Sequence, residues 1–318
     1  MAQPTGTYSS YDAIGNREDL EDIIYDISPT ETPFLRAIER GKAKQSLHEW
    51  QTDALAAATK DNATIQGDDV TGDTITATLR VANYCQLMDK VIIVTSTQRA
   101  TDAAGRKDEL DYQVAKAGKE LKRDIEAAIS QNNHAVAGND TLAAKLGGAE
   151  VWIGTNDRHG SGGSTTATTS GAPTATKLTD GTQRVFSEDE FQTAGQLAWE
   201  EGGNPSLVLV GPFNKRKIST FTGNATKTID MSEQELVAGV DIYIDDFGRK
   251  RIVPSRFVRG RTVLMIDPEY WGLAVLQAMK EEPLAKTGHA DKRMLSTELT
   301  LVCKNQKASA KVADLTTS

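Results

Sequence analysis

Histidine is the readiest general base and metal ligand a protein has, and this chain carries four: His48, His134, His159 and His289, none at HExxH or HxH spacing. They read as ordinary strand or surface residues. Asp246-Phe247-Gly248 has the letters of a kinase magnesium motif, but no HRD loop, Gly-rich loop or VAIK strand accompanies it, so it reads as a hairpin turn. LVLV (207–210) followed by GPFNKRK has the outline of a βα phosphate site, yet the turn lacks both GxGxxG and GxxxxGK[ST]. GSGGS (160–164) is not a nucleophile elbow, because its serine lies in a low-complexity stretch. Asp61, Asp68, Asp69 and Asp73 could collect a divalent cation but miss the spacing of a calcium loop, which leaves a solvated turn. Cys85 and Cys303 lie far apart with no CxxC partner and read as buried small hydrophobes. The expectation is a chain with no catalytic residues, no cofactor and no metal.

One cluster goes beyond these. Arg249, Lys250, Arg251, Arg256, Arg259 and Arg261 place six cations within thirteen residues of an otherwise acidic chain. Three readings stand: contact with carboxylates of a partner copy, a solvated hairpin, or contact with nucleic acid. Of these residues, Arg249, Arg251, Arg256 and Arg259 are the candidates for subunit contact.

The elements that must position such contacts can be read from periodicity. Residues 1–15 show no apolar period and read as an arm ordered only by a partner. NREDLEDIIYDI (16–27) places Leu20, Ile23, Ile24 and Ile27 on one helical face before Pro29. Thr32 as N-cap, Pro33 and Gly41 bracket a second short helix. SLHEWQT (46–52) and TITATLRV (74–81) alternate with period two, and the stretch between them is polar, so they predict a long two-stranded arm. A lone ribbon is marginal in water, so one face should lie on a neighbouring subunit. Trp50 and the tip carboxylates Asp61, Asp68 and Asp69 are therefore further contact candidates.

Residues 89–97 read as a buried strand, and Leu110, Val114, Ala117, Leu121, Ile125, Ala128 and Ile129 predict a long amphipathic helix over about 107–132. Residues 154–182 hold few core-forming side chains and read as a mobile loop or lid, the first expected site of proteolysis. Beyond it a capping box (Ser187, Glu190) opens a helix that ends at Gly202-Gly203. LVLV, VDIYI (240–244) and TVLMI (262–266) are strands, and STELTLVCKN should pair back into the first unit.

At 318 residues the chain suits roughly two packed units, one inserted in the other. No apolar run reaches membrane-spanning length and the N-terminus lacks a secretory pattern, which predicts a cytosolic protein without a membrane span. A net charge of −8 argues against tight binding to phosphate backbones.

In this order of elements the chain resembles the major capsid proteins of tailed phages with the HK97-type fold. The resemblance rests on SPTETPFLRAI (28–38), HEWQTDAL (48–55), the 107–132 helix, VWIGTN (151–156), EEGGNPSLVLVGPFNKRKIS (200–219) and TELTLVCKNQKA (297–308). It implies an α+β chain with an N-terminal arm (1–45), an extended β-hairpin loop (46–88), a peripheral domain with a spine helix (89–140 and 275–318) and an inserted α/β axial domain (141–274). It also implies a non-enzymatic shell subunit, self-assembling into hexamers and pentamers of an icosahedral head. That head encloses double-stranded DNA without sequence-specific binding. Partners implied are a portal protein, a separate scaffolding protein and a decoration protein, with assembly in the host bacterial cytoplasm. Some relatives crosslink a loop lysine to a neighbour's asparagine; Lys60 is the only lysine near this tip, and no asparagine partner is identifiable. Two alternatives stand beside it: an encapsulin-like compartment shell, and a cytosolic hydrolase with its site under a 154–182 lid.

Overall fold

The structure is a computed structural model that describes residues 31–67, 69, 72, 75–101, 105, 107–174, 178–221 and 241–317. The helix expected over 16–27 lies outside them. Helix α1 (Pro33–Ala37) begins at its proline, but the side chain of Thr32, at the N-cap position, makes no capping bond. The buried carboxylate of Glu126 takes that role, accepting from the N–H of Phe34 at 2.9 Å and of Leu35 at 2.8 Å. Burial raises the Glu126 pKa, and these two bonds oppose the rise. Gly41 does not end the helix. It lies in strand β1 (Glu39–Lys42), which runs parallel to β10 (Trp271–Pro283) because the short helix leaves this backbone free to complete an open sheet edge.

Strands β2 (Leu47–Thr52) and β3 (Leu79–Tyr84) pair antiparallel from Leu47 opposite Tyr84 to Thr52 opposite Leu79. The ribbon is shorter than the alternation of 74–81 predicts. Beyond Thr52 the side chains that would have closed a ladder face solvent, so among the described residues 53–78 run without a strand.

Strand β4 (Gln86–Thr95) follows and leads through α2 (Ser96–Ala100) to α3 (Glu109–Ser130), the 22-residue spine. At 1.5 Å per residue the spine is about 33 Å long. Its first turn is capped by Asp108, whose carboxylate accepts from Leu110 N at 2.8 Å. Leu110, Ala117, Leu121, Ile125 and Ile129 are buried along one stripe, as their spacing requires.

With β11 (Ala290–Cys303) these strands make a four-stranded sheet in the order β1-β10-β11-β4. The expected burial of β4 is only half correct. Met88 and Val94 face inward, whereas Leu87, Val91 and Ile93 face outward, since the helix covers one face of the sheet and none of the described residues covers these side chains on the other.

The second sheet has six strands, in the order β5 (Asp157–Arg158), β12 (Ala310–Val312), β9 (Val263–Ile266), β6 (Leu207–Val210), β8 (Gly248–Pro254), β7 (Ile242–Asp245). Both faces of its centre are covered, which is why LVLV is apolar at every position. Leu207 and Leu209 pack into a core shared with α3, α1 and α4 (Ala149–Trp152). Val208 and Val210 pack with Phe186, Phe191 and Ile218 from the region of α5 (Glu188–Glu200) and α6 (Pro212–Ile218). Strand β11 pairs with β4 and β10 as the alternation of STELTLVCKN implies, but the last strand, β12, joins the six-stranded sheet instead of returning to the spine helix. Asp246-Phe247 is the two-residue connection of the β7–β8 hairpin.

Candidate subunit-contact surface

Among the described residues the arm carries the three most exposed large apolar side chains. Leu55 is 99% exposed, Ile75 94% and Ile65 76%. Isolated aliphatics on a surface are ordinary, but three on one strandless extension have no packing within the chain to explain them. Asp61 and Asp69 are exposed on the same extension, whereas Asp68 lies outside the described residues. These aliphatics are what the sequence reading missed; their signal was solitary Leu and Ile residues inside polar stretches.

Trp50, a contact candidate on sequence grounds, is half-buried and has partners within its own chain. It lies at the base of the ribbon, where Nε1 donates to the carbonyl of Cys303 at 2.9 Å and the ring packs on Trp152 with centroids 5.6 Å apart. The indole finds both an apolar floor and a hydrogen-bond acceptor in its own chain, so no neighbour is needed. The ribbon is also tied down at Val81, which bridges to Gly171. Among the described residues, the outer face of β4 and edge strand β7, where Ile244 is 71% exposed, carry exposed aliphatic side chains.

The basic cluster divides in two. Among the described residues Arg249, Arg251 and Arg256 are exposed and enter no ion pair. Arg259 and Arg261, by contrast, are paired within the chain. The Arg259 guanidinium meets Asp180 at 2.5 Å and Glu150 at 3.5 Å, and that of Arg261 meets Asp314 at 2.8 Å and Asp180 at 3.2 Å. Lys250 is likewise buried and paired with Asp245.

Those arginines close a polar network that overturns the expected lid. His159 Nε2 lies 2.5 Å from an Asp157 oxygen and 3.1 Å from Thr165 Oγ1, with Nδ1 3.4 Å from Asp314. Gly160 N donates to Asp314 at 3.1 Å, and Lys311 Nζ donates to the Glu150 carbonyl and to Thr165 Oγ1, each at 2.7 Å. A Cβ on Gly163 would sit 2.3 Å from an Asp314 oxygen and one on Gly160 1.9 Å from the Thr182 carbonyl oxygen, so these two glycines serve close packing. The described part of 154–182 is therefore a packed segment, pinned by Ser164–Thr179 bridging and by the buried Leu178. Sequence alone hid this, because composition cannot reveal that a glycine run wraps a carboxylate 150 residues away.

Burial raises the Glu150 carboxyl and lowers Lys311 to about 8. Because the folded pKa of Lys311 lies below its ordinary 10.5, the folded chain binds that proton less tightly than the unfolded one, and stability from this group rises as pH climbs from 8 to 10.5. Urea unfolding across that window should therefore show wild type gaining on Lys311→Met. Parallel curves would mean that the amine is solvated.

Cys85 and Cys303 are free and buried, as expected; burial pushes the Cys85 thiol up to about 11 and that of Cys303 further. Among the described residues no group of three His, Cys, Asp or Glu side chains could hold a metal, and no helix is long and apolar enough to cross a membrane.

An α+β chain with a spine helix, two sheets and a solvent-exposed aliphatic arm has the architecture of a phage capsid subunit. The fold is that of solved capsids: it matches the capsid asymmetric unit of Cyanophage A-1(L) with a TM-score of 0.65 at 12% identity, over 98% of this chain and 99% of that one. The capsid structure of Cyanophage P-SCSP1u matches with a TM-score of 0.61 at 11% identity, over 99% and 100%. This is the HK97-like fold. Residues 3–316 match the SU10 major capsid protein family, and the chain belongs to it. The major capsid protein of Escherichia phage Phieco32 is 29% identical, over 97% of each chain. The protein is thus a phage major capsid protein, a structural component of the virion built from many copies, and the encapsulin-like and hydrolase alternatives are set aside.

Proposed function

We propose that the chain forms the icosahedral head of a tailed bacteriophage, as pentamers and hexamers enclosing double-stranded DNA, with no catalytic activity. Residues 1–45 are its N-terminal arm, 46–88 the extended loop, 89–140 and 275–318 the peripheral domain apart from the displaced β12, and 141–274 the axial domain. A separate scaffolding protein, a portal and a decoration protein complete the assembly in the host bacterial cytoplasm. The observation that carries this reading is the arm: Leu55, Ile65 and Ile75 stand in water on a segment with no core of its own. A neighbouring copy would remove this apolar surface from water at roughly 25 cal/mol per Å². The exposed Arg249, Arg251 and Arg256 complement the acidic tip that holds Asp61, Asp68 and Asp69, which supports contact between copies over nucleic acid.

A single exposed ion pair contributes little, but a shell repeats each contact at every interface. The double variant Arg249→Glu/Arg251→Glu should fold normally and need a several-fold higher protein concentration to assemble, with the defect shrinking in high salt. Sedimentation velocity at a series of concentrations measures this. Assembly at the wild-type concentration would return these arginines to a solvated hairpin.

A further inference from the structure

The β7–β8 hairpin has one buried face and one open face. Lys250 and Ile252 point toward α5 and are buried. On the other face Ile242 and Leu207 lie opposite Arg251 on its two sides, and Ile244 lies opposite Arg249. The core shared with α1 takes in Leu207, but Arg249 and Arg251 are exposed and Ile242 is 49% exposed. A groove of about 700 Å³ follows this boundary, lined by Leu207, Val253, Ile242, Arg249 and Arg251. Among its described lining residues the only carboxylate is Asp241, which is paired with Lys215 at 3.0 Å, and neither arginine meets an acid. Aliphatic side chains interleaved with unpaired arginines call for an aliphatic side chain accompanied by a carboxylate.

The arm carries that pair. Asp53 and Leu55 are both exposed, just beyond the last pairing of β2 with β3 at Thr52 and Leu79. The Asp53 carboxylate accepts only from the adjacent N–H of Ala54, at 2.9 Å, and Leu55 has no packing in its own subunit. Residues two apart on an extended chain share a side and stand about 7 Å from each other. Arg251 and Val253, two apart on the open face of β8, offer the matching spacing.

We propose that Leu55 of one copy seats in this groove of the next, over Leu207 and Val253, with the Asp53 carboxylate on the Arg251 guanidinium. The inference rests on the reading that the arm crosses between copies and adds the place where it lands. Arm and groove are different surfaces, so each subunit gives one contact and receives one, the heterologous arrangement that closes rings.

Photocrosslinking in assembled particles tests it, with a benzophenone attached to the thiol of Leu55→Cys, the native thiols being buried. Labelled chains are mixed with unlabelled, isotopically heavy ones, so that mass spectrometry separates crosslinks between subunits from those within one. The expected crosslink joins position 55 to residues 206–207 or 251–254 of a different subunit. A crosslink elsewhere on a neighbour would overturn the groove and leave the arm reading standing, whereas one confined to its own subunit would overturn both. The charge pair is tested without any label. Asp53→Arg and Arg251→Asp should each keep the wild-type melt and raise the concentration needed for assembly several-fold, and together they should bring it back to within about twofold of wild type. Single variants that assemble like wild type, or a double variant no better than either single, would overturn the pairing.

Discussion

Replacing residues 57–72 with a short Gly-Ser turn is expected to yield a folded subunit that no longer forms closed shells. Within the chain this stretch makes no strand among its described residues, and Ile65 is exposed. The parts that secure the arm lie outside the replaced residues: the six-residue pairing of β2 with β3, the Trp50 bond to Cys303 and the bridge from Val81 to Gly171. Folding and assembly should therefore separate. Calorimetry should show the cooperative transition of wild type, shifted by no more than a few degrees. Sedimentation should show monomers or loose capsomers in place of particles. A variant that assembles as well as wild type would mean that the arm clamps nothing, and one that unfolds would mean that the tip belongs to the subunit's own core.

Leu121→Asp should have the opposite signature and abolish soluble folding. Leu121 is 0% exposed, midway along α3, where the spine meets the sheet and the shared core. A carboxylate there loses its hydration inside an apolar cluster, and the leucine's packing is lost as well. The two losses are each worth several kcal/mol, against a total stability of about 5–15 kcal/mol. Circular dichroism and soluble yield would show this, and a variant that melts with wild type would place the stripe on the surface.

How far the sequence could be read depended on where the relevant partner sat. The spine helix was legible because Leu110, Ala117, Leu121, Ile125 and Ile129 report a local period, and so was LVLV, whose unbroken apolar run is what a sheet covered on both faces demands. The C-terminal alternation likewise announced β11. What failed to show was long-range. Thr32 has the residue type of a cap, but the capping group is Glu126, more than ninety residues on. Gly41 has the type of a helix stop, yet a free edge of β10 draws it into a strand. Arg259 and Trp50 have the types expected at interfaces, and each is satisfied inside the chain by groups no local pattern points to. The glycine-rich stretch after 154 reads as loose until Asp314 is seen in its midst. Of the contact candidates, Arg249, Arg251, Arg256, Asp61 and Asp69 remain on the surface in positions open to a neighbour.

The most direct test of the assembly account is cryo-electron microscopy of particles formed by the full chain in a bacterial host. The expected result is a closed icosahedral shell of pentamers and hexamers in which the 53–78 arm of each copy crosses onto the next, with Leu55, Ile65 and Ile75 buried there. Open or tubular aggregates, or a shell in which those three side chains contact only their own subunit, would contradict it.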